Sequence, residues 1–427
     1  MSIPNAILQL TGQNGRPACP TAKPIVVEVE LLTPLFIAGA DNQAGRRDSP
    51  DIVSDKTKTI AKEGLRPSAM KAALRFWWRA GFDPSQGLNA LRAKEAELFG
   101  WVSGDSRGHQ GQGLIVRTEV LSSWNAEWPK AMREIELAYL AYGCADSRGP
   151  LRPAISPGAR ARITLIPHSP RHETEIRQAL ERWLLFGGLG AKARRGFGSF
   201  VSLTDGMCIW KSETDLRAAI ENHRHQVQSG SAQDCLWSTL WDATVLLKQL
   251  EGASWDAALH ALGQYYHQFR KDLGADLVQG RWQQKPDKPY GPDHNRVWNW
   301  LQGRGLRDPA VDTADTLPDR AGFGLPLPMQ FRNRPYKPVL EPVKDEQKYI
   351  GDRRASPVIL RLHKVGNQFY GLVLVLGGRF LPEGAQVQIR EQSIRRKLAL
   401  PAPAPPPVLE KFINYLLKLK QGFVRVY

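Results

Sequence analysis

The chain has 427 residues, a net charge of +16 at pH 7 and an isoelectric point near 9.8, far from neutrality and biased toward an anionic partner such as nucleic acid. A hydrophobic share of 42% with 13 tryptophans excludes wholesale disorder, and the length calls for about two domains. Cys19, Cys144, Cys208 and Cys235 stand 125, 64 and 27 residues apart with no CxxC or Cys/His spacing, which excludes a recognisable structural zinc site; no metal and no cofactor are expected. No apolar run spans a bilayer and no leader pattern opens the chain, so a soluble, cytoplasmic protein is expected.

The charge is not a tail. Residues 1–200 hold 27 Lys and Arg against 19 Asp and Glu, and residues 201–427 hold 31 against 23. Local excesses lie at 148–200, with ten basic and three acidic residues, and at 390–427, with eight and two. A solvated, solubilising surface is the alternative reading.

In chain order, Ile25–Leu32 alternates Val27, Val29 and Leu31 against Glu28 and Glu30 and predicts a half-buried strand. A polar stretch carrying Gly39, Gly45, Arg46, Arg47, Asp48 and Pro50 runs to Gly64, longer than loops usually run inside a domain. Pro67 then opens a helix. Met70, Ala73, Leu74 and Trp77 recur at core spacing, and Lys71, Arg75 and Arg79 line nearly the opposite side without an interleaved acid, which favours an anion nearby. Trp77 belongs to the core stripe; Trp78 fits either packing or base stacking.

Further elements are expected as helices at Asn89–Phe99, Lys130–Tyr142 and Glu173–Phe186 and as strands at Leu114–Leu121, Ala159–Ile166 and Phe200–Leu203. Their order is that of the split βαβ, or ferredoxin-like, plan. Between helix and strand, residues 187–200 place five glycines with Lys192, Arg194 and Arg195, a backbone bare enough to approach a phosphodiester. Gly188-Leu-Gly-Ala-Lys-Ala193 fits GxGxxA, but a dinucleotide turn follows a strand and precedes a helix, the reverse of this context. Arg195-Gly-Phe-Gly-Ser-Phe-Val201 partly matches an RNA-recognition signature; Phe197 either stacks a base or packs.

Beyond residue 205 the pattern predicts helices at Glu213–Val227, Leu236–Leu250, Trp255–Leu273 and Asn295–Leu301, an exposed loop at Gln279–Pro292, and a hairpin of Pro357–Val365 and Phe369–Leu376 turning at Gly366-Asn367. Pro401–Pro407 reads as a stiff linker to a basic helix, Leu409–Lys420. Nine scattered histidines form no nucleophile or metal signature, with His109 and His168 the least implausible acid–base candidates. No catalytic residue is assigned.

The chain resembles the RAMP (repeat-associated mysterious protein) superfamily, and within it the large two-domain RAMP subunits named first in the type III-B CRISPR effector, the Cmr complex. The likeness is carried by Leu32-Thr-Pro-Leu-Phe36 with Gly39, Leu65-Arg-Pro-Ser68 leading into Ala73-Leu-Arg-Phe-Trp-Trp-Arg79, Glu97-Leu-Phe-Gly100 and the loop Gly187–Phe200. Gly324-Leu-Pro326, Arg353-Arg-Ala-Ser-Pro357 and Phe380-Leu-Pro382 extend it into the second half. The resemblance implies an α+β protein of two ferredoxin-like domains with helical insertions: 1–205 with the glycine loop, a helix-rich 206–400, and 401–427 as a proline-rich linker and basic helix outside the family pattern. It implies a non-catalytic subunit in antiviral defence that assembles with other RAMP subunits on CRISPR guide RNA and target RNA, near the guide end distal from its handle. The RNA contacts it implies are Arg66, Lys71, Arg75, Arg79, Lys192, Arg194 and Arg195, with Arg353 and Arg354. The competing reading is a RAMP endoribonuclease that processes CRISPR precursor RNA. A third reading is a purely architectural subunit.

Overall fold

In the computed structural model Ile25–Leu31 forms strand β1, burying Ile25, Val27, Val29 and Leu31 and turning Val26, Glu28 and Glu30 outward. The structure describes residues 22–37, 64–102, 109–110, 113–146, 149–226, 235–271, 276–278, 281–283, 291–305, 317–329, 331, 336–345, 353–382, 384–391, 394–399, 407–419 and 422–426. Cys19, the stretch from Gly39 to Pro50 and most of the 401–407 proline run lie outside them.

After β1 come α1 (Pro67–Ala80), α2 (Gly87–Phe99), β2 (Leu114–Ser122), α3 (Ile135–Leu140), β3 (Arg160–Pro167), α4 (Glu173–Phe186) and β4 (Phe200–Ser202). Their sheet runs β4-β1-β3-β2 with every neighbour antiparallel. Helices α1 and α4 cover one face through Leu74, Trp77, Leu180 and Trp183. The opposite face is tied by cross-strand ion pairs: Arg162 bridges Glu28 at 2.7 Å and Glu119 at 2.6 Å, and Arg160 meets Glu30 at 2.7 Å.

The second half holds α5 (Glu213–Gln226), β5 (Thr239–Leu250), α6 (Trp255–Lys271), α7 (Gly291–Leu301), β6 (Val339–Pro342), β7 (Val358–Val365), β8 (Gln368–Gly377), β9 (Gln386–Glu391), β10 (Ile394–Ala399), α8 (Pro407–Lys418) and β11 (Val424–Arg425). Its main sheet runs β11-β5-β8-β7, so β5-α6-β7-β8-α8-β11 repeats the connectivity and strand order of the first unit.

Three expectations are corrected here. Leu236–Leu250 is not a helix: 239–250 is the central strand β5, whose near-continuous apolar run reflects burial on both faces. Segment 407–426 is not an appendage. Helix α8 buries Val408, Phe412 and Leu416, and Val424 pairs with Leu247, so the chain end completes the second sheet. Within Gln279–Pro292, residues 281–283 pair with 276–278 and 291–292 begin α7, leaving the intervening residues outside the description. A further sheet was not anticipated: Leu327–Pro328, β6, β9 and β10 line up in that order, and with α7 they bury Val297, Trp300, Leu340, Val387 and Ile389.

Over β5, β7 and β8 the second main sheet is covered on both faces. Leu246, Leu360, Leu362 and Val373 pack under α6 and α8, while Val245, Leu247, Ile359, Leu372 and Leu374 join the cluster containing Leu74, Trp77, Leu180 and Trp183 of the first unit. The two halves share one interior.

Candidate nucleic-acid interface

Helix α1 sets the first basic row. Arg66 is exposed at its N-cap, Pro67 occupies the first turn, and Met70, Leu74, Trp77 and Trp78 are buried. Trp78 is a core residue, its indole N–H donating to Glu175 Oε2 of α4 at 3.0 Å. Lys71 is half-buried, and burial, with Arg75 adding repulsion, moves its ammonium below the usual lysine value. The acid missing from α1 comes from α2: buried Glu95 is ion-paired with both Arg75 and Arg79, accepting from Arg79 Nε at 2.6 Å. Those guanidiniums are partly neutralised yet remain more than a third exposed. An unseen anion is therefore not required to explain the row.

The glycine loop is built for protein contacts. Gly190, at φ +68°, lies against the Phe36 carbonyl, and Gly198, at φ +61°, lies against the Leu189 carbonyl; a side-chain carbon would collide with either. Ala191 N donates to Phe36 O at 2.8 Å, and Phe197 packs edge-on against Phe36 with centroids 5.3 Å apart. Phe197 packs. The bare backbone approaches residues 33–36 rather than lying open.

Lys192 is half-exposed with φ +63°. Arg194 turns inward, donates to Ser356 O and lies 4.8 Å from the Phe76 ring centroid. Burial, then the charges of Arg354 and Arg195, bring its guanidinium down to about 10. Arg195 is half-buried with its guanidinium carbon 4.5 Å from the Tyr266 centroid, and its neighbouring carbonyl, Arg194 O, accepts from Leu360 N at 3.1 Å. Arg353 is exposed, whereas Arg354 donates to Ser238 Oγ at 3.2 Å and Arg379 O at 3.0 Å. The structure thus separates the nine sequence-selected cations into a rim set (Arg66, Lys71, Arg75, Arg79, Lys192, Arg353) and an inner set (Arg194, Arg195, Arg354). Arg194 and Arg195 tie the first unit to the second, while Arg354 is held within the second.

Two junction residues went unread in the sequence. Arg361, fully buried on β7, donates through Nη2 to Leu184 O at 2.6 Å and Phe200 O at 2.8 Å, placing a cation at the carbonyl end of α4. Burial brings its guanidinium down to about 9. His363 donates through Nε2 to Leu185 O at 2.9 Å. Charged and polar residues alternating inside the apolar run Val358-Ile-Leu-Arg-Leu-His were the available signal, because a strand buried on both faces tolerates them only when they are hydrogen-bonded.

The histidines yield an acid-stability prediction. Burial, with the Arg182 charge second, holds His223 down to about 3, and burial, with Arg361 second, holds His363 well below its ordinary value. Both stay neutral in the fold while the unfolded chain protonates them below about pH 6.5. Their contribution is intact above that pH and falls by up to ~1.4 kcal/mol per pH unit for each histidine as pH drops toward the folded values. The urea midpoint should be lower at pH 5 than at pH 7.5, and His223→Phe should flatten the slope. An unchanged slope in that variant would refute the assignment.

His168 is exposed, and His109 lies in the short strand His109–Gln110. Burial pushes the thiols of Cys144, Cys208 and Cys235 up, the last two to about 12 and about 11. No group of three or more His, Cys, Asp and Glu able to hold a metal occurs among the described residues. No described helix is long and apolar enough to cross a membrane.

A family profile described as the RAMP superfamily matches residues 28–201, the span from β1 to β4. No curated protein matches the sequence. Among solved structures, the apo form of Cmr1 from Pyrococcus furiosus superposes with TM-score 0.50 at 16% identity, covering 95% of this chain and 99% of that one. A chain of the type III-B Cmr-beta complex bound to cognate target RNA aligns at TM-score 0.43 and 10% identity over 91% of this chain and 98% of its own length. The signature of the RAMP superfamily thus runs through the first unit, residues 28–201, and the fold of Cmr1 extends over nearly the whole length of the chain.

Proposed function

We propose that the protein is a non-catalytic, RNA-binding subunit of a type III-B CRISPR effector. In this reading it contacts guide and target RNA near the guide end distal from the handle and docks against other RAMP subunits. The observation that carries this is the end-to-end correspondence with Cmr1, 95% of one chain against 99% of the other, on top of the RAMP match over 28–201. The repeated strand order supports reading both halves as ferredoxin-like units, the second running from β5 through β11.

RNA contact is assigned to the rim set. Cations spaced along a rim read phosphate charge rather than base edges, so the purified chain should bind single-stranded RNA with little sequence preference. About five contacts give a log–log salt slope of about −3 to −4. The RNA should remain intact. A slope near zero would favour the architectural role instead, and sequence-specific cleavage abolished by His168→Ala would favour the processing enzyme.

A further inference from the structure

Lys192 occupies a conformation that its own loop reserves for glycine. At φ +63° it shares the left-handed region with Gly190, Gly196 and Gly198, where a side chain is disfavoured. A lysine kept there points to a role for its ammonium. Nζ lies 4.0 Å from the point where a side-chain carbon on Gly143 would stand. Gly143 itself is left-handed at φ +85° and presents bare backbone beneath the ammonium.

The residues around Gly143 complete the arrangement. Cys144 lies within the electrostatic reach of both Lys192 and Arg152, and the bond from Leu151 N to Cys144 O at 2.8 Å holds the Arg152 segment against it. On the other side of Gly143, Tyr142 is 68% exposed, the highest value among the exposed large hydrophobic residues. Its backbone is fixed, with N donating to Tyr139 O at 3.3 Å and Ala141 O accepting from Cys144 N at 2.6 Å. Among the described residues its ring has no aromatic partner and its hydroxyl no hydrogen bond.

We propose that Tyr142, Gly143, Arg152 and Lys192 form a site for one unpaired nucleotide of single-stranded RNA. The base stacks on the Tyr142 ring, and the phosphate sits over Gly143 between the two cations. An exposed aromatic beside cations and open backbone is what a single strand requires, since every base offers a π-face and every linkage a charge. The proposal rests on the RNA-binding reading and locates one contact within it.

The test uses the full chain and an oligoribonucleotide containing 2-aminopurine, with fluorescence quenching reporting stacking. Tyr142→Phe should quench and bind as wild type, while Tyr142→Ala should lose the quench and bind roughly 5- to 150-fold more weakly, the range for one stacked base. Lys192→Gly removes the ammonium while relieving the backbone, so it should melt no lower than wild type yet bind RNA less tightly with a shallower salt slope. If wild type binds RNA with a steep salt slope and Tyr142→Ala keeps both quench and affinity, this site is wrong and the broader reading stands. The same result with loss of docking to another protein would make Tyr142 a protein contact. If wild type binds no RNA, both readings fall.

Discussion

Arg361→Ala should destabilise the whole chain by ~3 kcal/mol or more, because it leaves the Leu184 and Phe200 carbonyls as buried acceptors without donors, at ~1–3 kcal/mol each. The truncated side chain also leaves a void beside the Phe200 ring, whose centroid is now 4.7 Å from the guanidinium carbon. Relief of a desolvated charge acts in the opposite direction, since burial already holds the group down to about 9. Arg361→Met fills the volume without charge or donors and should therefore fall between wild type and alanine. Because the residue joins the two units, the loss should appear as a shift of one cooperative transition. A midpoint within about 1 °C of wild type for Arg361→Ala would show that the junction does not depend on this side chain.

Phe412→Ala should cost a further ~3–5 kcal/mol, the usual range for emptying a buried aromatic site. The ring sits 5.0 Å from Phe269, 5.6 Å from Phe323 and 5.9 Å from Tyr266, joining α8 to α6 and to the turn at 319–323. Ending the chain before residue 407 removes both α8 and the β11 partner of Leu247, and near-ultraviolet circular dichroism should then lose its tertiary signal. A fragment that melts like the full chain would restore the terminal helix to the status of an appendage.

What could be read in the sequence follows how each element is buried. Helices α1 and α4 have one apolar and one polar face, and their period marked them directly. Strands β1 and β3 alternate, and the hairpin of β7 and β8 carries its turn at Gly366-Asn367. Strand β5 has no alternation to read because apolar side chains are wanted on both faces, and Asp242 at φ +55° interrupts it at a register shift. Strand β9 does alternate, with Val387 and Ile389 inward, but it is short and flanked by polar residues.

The candidate site was legible as a composition and not as an arrangement. The cation row on α1 was visible; its neutralising acid, Glu95, belongs to another helix. The glycines were visible, but the reasons for them are the carbonyls of Phe36 and Leu189 and, for Gly196, the side chain of Leu259 on α6. Which of two adjacent arginines turns outward is decided by partners far along the chain, and here neither does, since Ser356 and Tyr266 receive them.

A sheet whose inner face seals one unit and whose outer face lies under its own helices has no cleavage plane. Parting the halves would bare Trp77, Trp183, Leu247 and Leu374 together, so the domain closure by which many two-unit proteins grip a ligand is denied to this chain. Grip must come from loops and from side chains on the rim. The two units should therefore move as one block, and their points of contact should keep a fixed spacing on whatever they touch.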